Sequence, residues 1–185
     1  PGRLDFLPAS GFRQLPGRRT TLGGQWRITS PDDDPLSRQG WTAALAHEDA
    51  RGVTELDQPQ QPSDYVNASS TVLALRQEGA EHHVQAQVVS TQNSLLSDAR
   101  HGFWIDGEWK EGPRRHGVGA YRLEPGLTWA NLPLANDILG AYVRSNWRTR
   151  QWSAEGSVDV LDSISGRSAS GFFATGSGRW RINRD

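Results

Sequence analysis

The chain has 185 residues, with 20 basic and 21 acidic side chains and a net charge of −1, so a broad electrostatic case for nucleic acid is removed. Cysteine is absent, which excludes disulfide scaffolds, thiolate metal sites and cysteine nucleophiles. No run of about 18 apolar residues occurs, which excludes a transmembrane helix but leaves a transmembrane β-barrel open.

The length suits a single domain over 1–185. The chain starts at Pro1 and contains no methionine, so a mature form or a piece of a longer chain is expected. Residues 1–18 read as an extended N-terminal segment, in which Leu4–Leu15 offers a tenth strand. From Thr20 to Thr29 the period is two: Leu22, Gly24, Trp26 and Ile28 share one face, and Thr21, Gly23, Gln25 and Arg27 the other. A turn follows at Ser30–Pro35, then a strand over Gly40–Glu48, where Ala43–Ala50 also admits a short helix. Residues 51–69 form the one long loop, with Asp57, Pro59, Pro62 and Asp64, and this loop should be the most mobile part.

Ser70–Gln77 and Glu81–Thr91 are strands joined by a hairpin at Glu78-Gly79-Ala80. Gly102–Lys110 sets Phe103, Ile105, Gly107 and Trp109 against Trp104, Asp106, Glu108 and Lys110. A turn at Lys110–Pro113 leads to a strand over Gly117–Leu123. In Asp137–Thr149, Leu139, Ala141, Val143 and Trp147 alternate with Gly140, Tyr142, Arg144 and Asn146. Arg150–Asp162 and Gly171–Asn183 repeat the pattern on either side of a turn at Ser163–Ser170. In the last strand Phe172, Ala174, Trp180 and Ile182 oppose Thr175, Ser177, Arg179 and Arg181. The expected class is all-β, an antiparallel up-and-down meander forming a β-barrel or part of one, with at least about 45% strand and under about 15% helix. A soluble β-sandwich or lipocalin-like barrel is the alternative, and Gly24-Gln25-Trp26 matches the short lipocalin Gly-x-Trp pattern.

The two faces of these strands differ in kind. A soluble core needs bulky aliphatics, whereas here Gly and Ala share the apolar faces with Trp near the strand ends. The opposite faces carry rows of Arg, Gln, Asp, Glu, Ser and Thr. The runs Gly117–Trp129, Gly140–Trp147 and Gly176–Asp185 resemble the strand–turn–strand text of bacterial outer-membrane β-barrels, of porin-like kind. That resemblance implies an apolar face on lipid, an aromatic girdle drawn from Trp26, Trp109, Trp129, Trp147 and Trp180, and a hydrated lumen. It further implies that 51–69 is an extracellular loop. The final Asn183-Arg184-Asp185 and the count of nine strands depart from a complete barrel and suit a segment of a larger one.

Lumen-lining or ligand-binding candidates are Arg27, Asp106, Glu108, Glu155, Asp159, Arg179 and Arg181. Asp106 and Glu108 stand on one face about 7 Å apart, a spacing glycoside hydrolases use, so they are the catalytic candidates; Glu155 and Asp159 also share a face. Alternate carboxylates are equally what a solvated sheet face contains, and the chain reads as non-enzymatic. Of the five histidines, His47, His82, His83, His101 and His116, the adjacent His82 and His83 point to opposite faces and cannot chelate one ion; Asp32-Asp33-Asp34 could hold calcium through loop carboxylates, but no EF-hand spacing follows, and it reads as a solvated turn. No metal or cofactor is expected. Asn67-Ala68-Ser69 is a glycosylation sequon, and no GxSxG elbow supports a hydrolytic triad. The expected function is passage or surface recognition in the bacterial outer membrane or cell envelope, with lipid or detergent on the apolar face. The alternative is a secreted or periplasmic β-protein that binds a glycan or small apolar ligand through Trp.

Overall fold

A computed structural model describes residues 18–28, 39–54, 65–94, 98–129, 132–134, 136–168 and 170–182. Eleven strands occur among them: β1 Arg18–Ile28, β2 Gly40–Thr54, β3 Tyr65–Glu78, β4 His82–Asn93, β5 Arg100–Glu111, β6 Arg114–Leu123, β7 Thr128–Trp129, β8 Leu132–Pro133, β9 Ile138–Arg148, β10 Trp152–Ser163 and β11 Gly171–Trp180. Nine of them form one sheet in the order β1-β2-β3-β4-β5-β6-β9-β10-β11, every pair antiparallel. The two-residue strands β7 and β8 pair only with each other. The fold is an all-β up-and-down meander, and no pairing between β1 and β11 closes it into a barrel. No helix among the described residues is long and apolar enough to cross a membrane.

Each of the nine alternating runs becomes a strand, which places the architecture in the period-two signal itself. The 51–69 loop is corrected: Arg51–Thr54 continues β2 and Tyr65–Ser69 begins β3. A register shift between Ala50 and Val53 interrupts the alternation there, and a bulge does this because its extra residue flips the side-chain phase. Ala43–Ala50 is strand, not helix. Leu4–Leu15, Ser30–Pro35 and residues 55–64 lie outside the described residues.

The ladder register sorts the side chains into two faces. Ile28 lies opposite Trp41, Trp41 opposite Gln77, Gln77 opposite Val84, and Val84 opposite Gly107. Beyond Gly107 the same row runs through Val118, Val143, Val158 and Ala174. Among the described residues every exposed large apolar side chain lies on this face except Phe173 on the other and Ile182 just past β11. The apolar band measures about 20 Å from Phe103 to Trp109 on β5 and about 26 Å from Trp152 to Val160 on β10, at roughly 3.3 Å per residue. Its upper border is polar, with His47, Thr71, Ser90, His101, Arg122 and Asp162.

The band's lower border is tryptophan. Trp26, Trp41, Trp109, Trp147, Trp152 and Trp180 all stand on the apolar face, within two residues of a strand end. They occupy the end of the sheet with the short turns at 79–81, 112–113 and 149–151. Trp147 and Trp152 meet edge to face at 4.0 Å, and the Arg114 guanidinium covers Trp147 at 4.8 Å.

The buried core sits on the opposite, polar face. Val72, Val89, Leu123, Leu127 and Trp129 form it, flanked by Ala46, Trp104, Tyr121, Leu134 and Ile138. The chain between β6 and β9 creates this core by folding back over the sheet. Leu127 is wholly buried, the Trp129 indole N–H donates to Glu48 Oε2 at 3.0 Å, and the Thr91 hydroxyl donates to the Thr128 carbonyl. Trp129 is therefore no girdle residue: it belongs to an infolded hairpin that anchors its polar edge in the interior.

Candidate functional site

Below the hairpin, toward the short turns, the polar face opens into a cavity of about 520 Å³. Its walls come from β4, β5, β6, β9, β10 and β11. The ladder stacks its residues in rows across the strands. One row holds Asp106, Gly119, Tyr142 and Asp159; the next holds His83, Glu108, Gly117, Arg144, Ser157 and Thr175; a third holds Arg115, Asn146, Glu155 and Ser177.

Glycine makes the space. A Cβ at Gly117 would meet nothing nearer than the Gly107 carbonyl oxygen at 3.7 Å, so the cavity floor there is bare backbone. Gly119 serves differently, because the Tyr142 ring lies directly over it and a Cβ would collide with that ring. Tyr142 is thereby laid flat along the sheet, and the Arg144 guanidinium stacks on it with its carbon 4.4 Å from the ring centre.

The polar groups are partly paired. Arg115 Nε reaches Glu108 Oε1 at 3.2 Å, the Ser177 hydroxyl donates to Glu155 Oε1 at 2.9 Å, and the Ser157 and Thr175 hydroxyls bond at 2.8 Å. Four carboxylates line the cavity, those of Asp106, Glu108, Glu155 and Asp159, against two guanidiniums, those of Arg115 and Arg144. Half-exposed ion pairs of this kind add little stability; what they supply is a wet, charged surface with alternating donors and acceptors.

Of the residues singled out from sequence, Asp106, Glu108, Glu155 and Asp159 come together here. Arg179 lines a smaller neighbouring cleft with Arg148, Ser153 and Glu155. Arg27 sits on the same face of the far edge strand β1, and Arg181 lies past the end of β11, its backbone N–H bonded to the Gln151 carbonyl at 2.7 Å. Sequence reasoning missed His83, Arg115, Tyr142 and Arg144 in the cavity. Tyr142 and Arg144 share one face in the alternation of their own strand, so their signal was available, whereas Arg115 precedes the expected strand Gly117–Leu123. His82 and His83 do point to opposite faces, one opposite Trp109 and the other opposite Glu108. No group of three His, Asp or Glu side chains among the described residues is arranged to hold a metal ion.

Outside the strands, two carboxyls tie the loop end together. Glu124 accepts from Arg122 Nη1 at 2.8 Å and from the His101 amide at 2.9 Å, and these bonds hold its pKa below the ordinary value. Asp137 accepts from the Ser165 hydroxyl at 2.6 Å, the Ser165 amide at 2.7 Å and the Ser163 hydroxyl at 2.9 Å. Hydrogen bonding to Ser165 is the main reason its pKa is lowered too.

No family model, curated protein or solved structure matches this chain.

Proposed function

We propose that this chain is an outer-membrane β-barrel protein or barrel segment, non-enzymatic, whose apolar face meets lipid and whose polar face lines a hydrated path for passage or recognition. The observation that carries this reading is the placement of the large apolar side chains. They stand exposed on one face from edge to edge of the sheet, with Phe172 68% and Val143 56% exposed, while the small dry core lies on the other face. In water such a surface would far exceed the few hundred Å² of apolar patch that soluble monomers show. In a bilayer it is the expected solvent-facing side, and a rim of six tryptophans beside short turns suits the headgroup level. The charged cavity then faces away from lipid, where its carboxylates and guanidiniums remain hydrated. Asp106 and Glu108 serve as lining there, because Glu108 is engaged by Arg115 and alternate acids suit a wet wall.

The test is fluorescence quenching by lipids brominated along the acyl chain, after folding into phosphatidylcholine vesicles. Variants retaining a single tryptophan at 26, 109 or 180 should be quenched, and a variant retaining only Trp129 should not. A protein that stays monomeric without detergent, with no quenching at any of the three, overturns the membrane reading in favour of a secreted β-protein.

A further inference from the structure

We infer that the nine-stranded sheet is completed by an odd number of further strands of the same polypeptide, each alternating apolar and polar residues, and not by a second copy; this rests on the membrane reading above. The first support is the state of the two edges. β11 runs ten residues and β1 eleven, both without a proline, and each keeps unbroken register with its one neighbour among the described residues. Between Thr20 and Trp26 on β1, and between Gly171 and Gly178 on β11, no residue is charged. Soluble proteins blunt their exposed edges with charge, proline or bulges. These edges carry no such device in their central stretch, and in hydrocarbon an unpaired row of N–H and C=O groups is not tolerated.

The second support is that the two-faced pattern continues to the edges, with Phe173 of β11 the one departure among the described residues. Leu22 is 75% exposed on the apolar side of β1 and Trp180 is 70% exposed on that of β11. On the polar side, Gln25 of β1 and Thr175 and Ser177 of β11 match the interior strands. Whatever pairs with the edges must continue both faces, which asks for strands of the same alternating kind.

Direction decides the number and the source. Every step across the sheet reverses the chain, so the ninth strand, β11, runs the same way as β1. Sealing β11 directly to β1 would require a parallel ladder. A second copy in the same membrane is related by rotation about the membrane normal, which preserves strand direction, so its seam would also be parallel. All eight pairings within the sheet are antiparallel, and the parallel ladder is the less stable per residue. Antiparallel seams at both edges need an odd number of intervening strands, giving an even total, as single-chain bacterial barrels have.

The test uses the full-length protein folded in vesicles, with any cysteine outside these 185 residues, which contain none, replaced by serine. Cysteines at 21 or 25 on β1 would be combined with cysteines at 175 or 177 on β11. A Ser157→Cys/Thr175→Cys pair, whose hydroxyls already touch across β10 and β11, is the positive control. Amide hydrogen exchange is followed on the cysteine-free protein. The expected result is that the control cross-links, the β1–β11 pairs do not, and the amides of β1 and β11 exchange as slowly as those of β5. A β1–β11 disulfide within one chain, a disulfide-linked dimer, or rapid exchange confined to alternate amides of the edge strands overturns the inference. The tryptophan quenching above reads the membrane assignment independently: quenched rims with fast edges sink this inference alone, and unquenched rims sink the membrane reading.

Discussion

The polar face of the sheet carries two regions built by different rules. At the loop end, the hairpin between β6 and β9 covers β2 to β5, and there polar groups are buried and bonded: Ser70 and Thr91 share a 2.8 Å hydrogen bond, and Glu48 takes the Trp129 indole N–H. At the turn end nothing among the described residues covers the sheet, and arginines and carboxylates stand half exposed around a cavity floored by Gly117. The strands beneath are continuous, since β5 runs from Gly102 under the hairpin to Glu108 in the cavity. One sheet thus supports a dry, close-packed region that fixes shape and a wet, charged region that offers chemistry. The energetic consequence is an asymmetry: substitutions under the hairpin should cost stability, and substitutions in the cavity should leave it nearly unchanged.

The largest effect is expected at Leu127. It is fully buried, and truncation of such a leucine costs about 3 kcal/mol, the lost transfer energy plus the cavity left behind. Leu127→Ala should lower the unfolding midpoint in urea accordingly, measured in detergent. An unchanged midpoint would mean that the hairpin does not hold its place on the sheet.

One substitution made in both regions sharpens the contrast. A Cβ at Gly102 would stand 2.6 Å from Leu127 Cδ2 and 2.8 Å from Val89 Cγ1, so Gly102→Ala overpacks the core and should cost roughly 1–3 kcal/mol. Gly117→Ala meets only open cavity and should shift stability by no more than about 0.5 kcal/mol, with a stabilising sign where chain entropy dominates. Equal costs at the two sites, by the same urea titration, would break the comparison.

These two regions were not equally legible in the sequence. The sheet was, because each of its nine strands alternates for seven residues or more, and the faces of Asp106, Glu108, Glu155 and Asp159 followed directly. The cavity was half legible: Tyr142 and Arg144 had the right phase, but which strands neighbour β10 is a matter of topology. The hairpin was not legible. Glu124 to Asp137 has no period, and its burial depends on long-range partners such as Glu48, 81 residues away from Trp129. The resemblance to outer-membrane barrels places Trp129 in the girdle, but the hairpin buries it, and Trp41 and Trp152, which the resemblance did not single out, stand on the tryptophan border. The bulge beyond Ala50 hid the ends of β2 and β3 for a similar reason, since a phase slip of one residue erases the alternation on which the reading depends.

The smallest expected effect lies where the two regions end, at the loop junction that Asp137 makes with Ser163 and Ser165. Asp137 has a positive φ of 60°, a conformation that Asp and Asn enter more readily than other side-chain-bearing residues. Its carboxylate accepts three hydrogen bonds, so its pKa in the folded protein lies below the ordinary value. A depressed folded pKa means that the bonds stabilise the junction at pH values above the unfolded carboxyl's range. That stabilisation is lost as the pH falls through the folded pKa. Glu124, lowered by Arg122 and His101 on the neighbouring side of the hairpin, follows the same sign. Asp137→Asn keeps the φ preference and one acceptor oxygen but removes the charge, so it should mimic acidification locally. Amide protection at Ser165, taken relative to the intrinsic exchange rate at each pH, is the readout: lower in the variant at neutral pH, lowered in the native protein only on acidification, and unchanged at Leu127 in both. Lost protection at Leu127 as well would show that the junction and the hairpin open together, and the two regions would then be one cooperative unit.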